Sequence, residues 1–175
     1  MSRYIAILIL LFLASCDNKE KPKKLEYTTQ QVKDLSLQMN SWDEKRQHDE
    51  INQYILQHKW DMKMTQSGLR FMLLKTGNGP LTKNGQYVTV AYKIFLLDGT
   101  LCYTADKKNP KKLLVGKDNV EAGLHEGIQL MHVGDQMRFI LPSHLAHGLT
   151  GDQSKIPPLA SVVYEVELLE LSDNK

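Results

Sequence analysis

The sequence predicts an α+β fold: an antiparallel sheet curved around one short helix, preceded by a helical N-terminal arm. Stretches of alternating apolar residues bounded by Asn-Gly and Asp-Gly predict the sheet. One helical period at residues 120–131 interrupts them, and a longer helical period from Thr29 precedes them. Mostly antiparallel strands around a single helix pack as one α+β domain.

The chain has 175 residues, 42% of them hydrophobic, enough for one domain with a core plus an appendage. Lys and Arg number 22 against 20 Asp and Glu, so no excess of charge points to nucleic acid. The two cysteines, Cys16 and Cys102, lie in unlike settings and imply no disulfide framework.

Residues 1–15 read as an export signal, with a basic start at Arg3 and an apolar run from Ile5 to Ala14. That run is about half of the roughly 20 apolar residues that span a bilayer. Leu13-Ala14-Ser15-Cys16 is similar to the lipobox of bacterial lipoproteins, which implies cleavage before Cys16 and its lipidation; an ordinary secretory signal is the competing reading. Several acyl chains on one residue would hold the protein at a membrane surface. Residues 16–27 read as a flexible tether. Lys19 to Lys24 in it are either merely solvated or attracted to anionic headgroups.

A helical arm over residues 28–60 follows. Val32, Leu35, Met39 and Trp42 recur at helical intervals. Ser41-Trp42-Asp43-Glu44 has the form of a capping box, which predicts a second helix to about His58 with Ile51, Tyr54 and Ile55 inward. Such an arm either packs on its own domain or joins a second copy or a partner.

The main domain spans residues 67–172. Strands are predicted at 68–75 and 86–97, the latter alternating Val88, Val90, Tyr92, Ile94 and Leu96. Asn84-Gly85 and Asp98-Gly99 supply turns, and a strand near Leu101–Tyr103 turns back. At 120–131, Leu124, Ile128 and Met131 have helical spacing, but two glycines make the helix short and dependent on packing. Strands at 137–141 and 161–171 close the pattern, with Val162, Tyr164, Val166 and Leu168 inward.

The blocks VTVAYKIFLLDGTLCY, LLVGKDNVEAGLHEGIQLMHVGDQMRFILP and LAHGLTGDQSKIPPLASVVYEVELLEL resemble, in order and spacing, the FK506-binding (FKBP) type peptidyl-prolyl cis-trans isomerases. Lipobox and arm included, the whole chain is similar to FKBP-type lipoproteins associated with gliding motility in some bacteria. The resemblance implies isomerisation of X–Pro bonds without a cofactor. It also implies a pocket lined by Tyr92, Leu124, Tyr164 and Ile156, with Val120 and Glu121 where the backbone amide of the second residue binds a ligand carbonyl. By the same resemblance His147 stands in place of a hydroxyl-donating tyrosine, and Tyr92, Tyr103 and His147 are the candidate catalytic residues. Departures from the family's pattern are Cys102-Tyr103 in place of Phe-Asp, and Lys111 in place of a rim aromatic. They imply that the fold transfers more fully than catalytic strength.

By residue chemistry alone, Tyr92, Leu124 and Tyr164 also suit an ordinary half-buried sheet, and Cys102 suits a small buried side chain. His144 and His147 lack the spacing and further ligands of a metal site, so no metal is expected, and His144 reads as a surface residue. The expectations are an isomerase acting on proline-containing polypeptides among exported proteins, lipid-anchored in the cell envelope and facing the periplasm. The rival is a non-catalytic binding module or chaperone in an envelope motility or secretion assembly, with the arm as homodimer or partner contact.

Overall fold

The computed structural model describes residues 28–173. The signal, Cys16 and the tether lie outside the described residues. The chain divides into two compact units, Met1–Gln38 and Met39–Lys175.

Helix α1 runs unbroken over Thr29–His58. It starts at a capping box well ahead of Ser41 in the chain: the Gln31 amide donates to Thr28 Oγ1 at 3.3 Å, and the Thr28 amide to Gln31 Oε1 at 2.9 Å. Ser41 and Glu44 therefore lie mid-helix, and the expected second start is corrected. No Gly or Pro occurs between Thr29 and His58 to break the helix there. The first unit's described part, residues 28–38, exposes Val32, Leu35 and Leu37. In the second unit Met39 and Trp42 are exposed, whereas Gln47 and Ile51 are buried. The helix ends in a Schellman turn, with the Trp60 amide donating to Ile55 O and the Lys59 amide to Leu56 O. Lys59 takes the left-handed φ of 54° that this turn requires.

Strands β1 (Lys63–Met64), β2 (Arg70–Lys75), β3 (Tyr87–Leu96), β4 (Leu101–Ala105), β5 (Lys111–Leu114), β6 (Gln136–Leu141) and β7 (Val162–Ser172) form one antiparallel sheet. Its order is β1-β2-β6-β7-β3-β4, and β5 pairs the first half of β3. Helix α2 (Ala122–Ile128) packs on the face carrying Val90, Phe139, Tyr164 and Leu168. Its two glycines permit that approach: a Cβ at Gly123 would meet Leu141 Cγ at 2.6 Å, and one at Gly127 would meet Phe139 Cζ at 2.9 Å.

In β7 the inward alternation Val162, Tyr164, Val166, Leu168 holds to a bulge, after which Leu171 takes over. The opposite face of the sheet, at Ile140 and Val163, is covered by Ile51, Tyr54, Ile55 and Trp60. The second part of α1 is thus built into the domain. Its buried Gln47 accepts the Ser143 amide at 2.8 Å, at the start of the loop that supplies one wall of the cavity described next.

Candidate functional site

A cavity of about 490 Å³ opens between α2, the sheet and the loop that follows β6. Strand β3 contributes Tyr92 and Ile94, β4 contributes Tyr103, β5 contributes Lys111 and Leu113, and β7 contributes Tyr164. Residues 119–122 and Leu124 come from the entry to α2, and Ala146, His147 and Asp152 from the loop. The period of two along β3 and β7 sets Tyr92 and Tyr164 on the same face. Their ring centroids are 6.1 Å apart at an interplanar angle of 51°.

Of the residues that the sequence singles out, Tyr92, Tyr103, Val120, Glu121, Leu124, His147 and Tyr164 share this cavity. Ile156 does not line it. Its side chain is 2% exposed in the core, and its amide donates to Asp152 Oδ1 at 2.8 Å, which turns the loop so that the side chain faces the core. His144 sits apart on a 3-10 turn, exposed, with Nε2 3.0 Å from Ser67 O. The two histidines therefore do not act together. Among the described residues no group of His, Cys, Asp and Glu is placed to hold a metal ion.

Burial, then the negative charge of Glu121, raises the Tyr92 hydroxyl above its ordinary pKa. The same two causes, with a hydrogen bond to Glu121, push Tyr164 far up. Both hydroxyls stay protonated at neutral pH; the Tyr164 hydroxyl is engaged with Glu121, and the Tyr92 hydroxyl keeps a proton to donate. The Glu121 side chain, 13% exposed, lies inside the cavity with Oε1 2.9 Å from His147 Nε2. The angle of that approach makes no hydrogen bond, so Nε2 is buried without an aligned partner among the described residues.

Asp152 is not singled out by the sequence reading. Its carboxylate accepts the Tyr103 hydroxyl and the amides of Ser154 and Ile156. Burial alone would raise its pKa, but these three bonds and the nearby His147 hold it at about 2. The signal was an Asp in the turn Gly151-Asp152-Gln153-Ser154, where that side chain commonly bonds amides further along. The Cys102 thiol is raised by burial and by the Asp152 charge, which leaves it an inert small side chain.

This arrangement suits non-covalent work on an extended peptide: apolar walls to take a ring, the Tyr92 hydroxyl to hold a carbonyl, and no activated nucleophile among the lining residues. A sequence model described as FKBP-type peptidyl-prolyl cis-trans isomerase matches residues 79–169. The FkpA isomerase of Aeromonas hydrophila is 40% identical over 114 residues, covering 65% of this chain and 41% of that protein. The probable FkpA of Neisseria meningitidis serogroup B is 34% identical over 110 residues, covering 63% of this chain and 40% of that protein. The chain thus spans about two fifths of the length of these relatives. The crystal structure of FkpA from Escherichia coli shares the fold at a TM-score of 0.62 and 24% identity, over 84% of this chain and 74% of that one.

Proposed function

The chain belongs to the FKBP-type peptidyl-prolyl cis-trans isomerase family, and from that membership we propose that it catalyses cis–trans isomerisation of X–Pro bonds in exported proteins while lipid on Cys16 holds it in the envelope, facing the periplasm. The observation that carries the catalytic part is the cavity walled by Tyr92, Tyr164 and Leu124, with the protonated Tyr92 hydroxyl as a donor.

An uncatalysed X–Pro bond faces a barrier of about 18–20 kcal/mol because resonance gives its C–N bond double-bond character. Twisting the bond removes that delocalisation and lowers the polarity of the carbonyl. A proline ring seated against Tyr92 and Leu124 loses water, which stabilises the twisted state relative to the planar one. The hydroxyl of Tyr92 is placed to fix an adjoining carbonyl, and His147 is the donor on the loop side. Relief of water and fixed geometry are sufficient; no covalent step is needed.

The anchor and arm extend this reading. Among the described residues no helix is long and apolar enough to cross a membrane. The proposed attachment rests on the lipobox resemblance, and the exposed Val32, Leu35 and Leu37 suit a contact with a second copy or an envelope partner such as a motility complex.

A specific observation favours the rival, a non-catalytic holder of clients. Glu121, Asp152 and Lys111 make the cavity more polar than a proline-binding slot requires. A protease-coupled assay of proline peptides separates the two. Acceleration of the cis-to-trans step supports the isomerase, and peptide binding at the uncatalysed rate across several residues before proline supports the holder.

A further inference from the structure

Cavity walls of two kinds meet at this site. Tyr92, Ile94, Tyr164 and Leu124 stand on the sheet and α2, whereas Ala146, His147 and Asp152 stand on a loop of two 3-10 turns. That loop carries backbone strain, with Gln153 at φ 60° and Leu159 at φ 58°, values that non-glycine residues rarely adopt. Such strain persists only where surrounding contacts over-determine the conformation. Gly151 is confined as well, since a Cβ there would meet Ile156 O at 2.2 Å.

The contacts that hold the loop converge on β4. The Tyr103 hydroxyl donates to Asp152 Oδ2. Lys155 Nζ donates to Cys102 O at 2.8 Å and lies 5.1 Å from the Tyr103 ring centroid. Within the loop, Asp152 Oδ1 accepts the amides of Ser154 at 2.9 Å and Ile156 at 2.8 Å, and the Asp152 amide donates to Ile156 O at 3.0 Å. Cys102 and Tyr103, the pair that departs from the family's Phe-Asp, are therefore the residues the loop grips. The carboxylate missing at position 103 is offered from position 152.

We propose that Asp152 is a positioning residue: its carboxylate joins Tyr103 on β4 to the amides of the loop and latches the segment 151–157, so that His147 is held in place as the loop-side wall of the peptide site. This rests on the isomerase reading for its effect on turnover, but the latch itself is a property of the loop. A charged acceptor bound by three donors is a strong fastening for a short segment. Without it, the strained turn at Gln153 has lost its main compensation.

Tyr103→Phe, Asp152→Ala and the double variant in the intact chain test it by three readings. Amide hydrogen exchange at Ser154 and Ile156 is expected to quicken by roughly 10-fold or more in Tyr103→Phe, the loss expected for one hydrogen bond to a charged group. The NMR titration midpoint of Asp152 is expected to rise from about 2 toward the ordinary carboxylate range in that variant. For proline peptides, KM is expected to rise more than kcat falls, by a similar factor in both single variants, with the double variant no worse than either. Unchanged exchange at both amides in Tyr103→Phe, or additive losses in the double variant, would overturn the latch. If the unaltered chain turns over no peptide while exchange and titration respond as stated, the isomerase reading fails and the latch stands.

Discussion

Tyr92 and His144 carry opposite expectations. Tyr92→Ala removes a cavity ring and a hydroxyl, each worth about 1 kcal/mol in contact or hydrogen bonding. The kcat/KM for proline peptides should therefore fall by roughly 10-fold or more. His144→Ala removes only an exposed contact to Ser67 O and should leave turnover unchanged. Equal losses in the two variants would contradict this cavity map. Asp152 sets an acid-side prediction. Its folded pKa of about 2 lies below the ordinary carboxylate value, so its stabilising contribution is complete above about pH 4 and disappears as pH falls through 2. Solvent screening of this partly exposed group keeps the contribution small. In Asp152→Asn, acid unfolding followed by circular dichroism should show a slightly smaller loss of stability between pH 4 and 2 than the unaltered chain does. The resemblance led to Tyr92, Glu121, His147 and Tyr164 because each occupies a position in an ordered block. Asp152 escaped it because its function depends on a partner 49 residues away, which no local pattern reveals.

Among the elements, α2 and α1 are held by unlike means. In Gly127→Ala the gain in helix propensity, about 1 kcal/mol, opposes the overpacking of Phe139, about 1–3 kcal/mol. Phe139 is fully buried and has no room to yield, so the variant should melt at a lower temperature. For α1 the decisive contact is Gln47. Gln47→Ala leaves the buried Ser143 amide unsatisfied, at about 1–3 kcal/mol, and urea unfolding should show a lower midpoint with an unchanged slope. Alternation made β3 and β7 legible, and Leu124 and Ile128 marked α2. Two strands were not legible: β1 is two residues long, and β5 begins Lys111-Lys112, with no apolar alternation. The continuity of α1 was hidden because Ser41 and Glu44 have the capping spacing, which a helix tolerates at an interior position when no breaker accompanies it.

The second unit, Met39–Lys175, is a sheet with different covers on its two faces. Helix α2 closes the face beside the cavity, and Ile51, Tyr54, Ile55 and Trp60 close the other. A chain beginning at residue 67 would expose Ile140, Val163 and Phe95, so the arm's second part belongs to the folded domain. The anchor is tested at the other end: radiolabelled palmitate should enter the unaltered chain and be absent from Cys16→Ala, and label retained on that variant would remove the lipobox reading. The central claim is catalysis of bond rotation itself, and two-dimensional NMR exchange between the cis and trans signals of a proline peptide observes it without a coupling protease. Catalytic amounts of the chain should produce cis–trans cross-peaks that Tyr92→Ala weakens, whereas peptide shifts that report binding with no cross-peaks at any protein concentration would contradict the account.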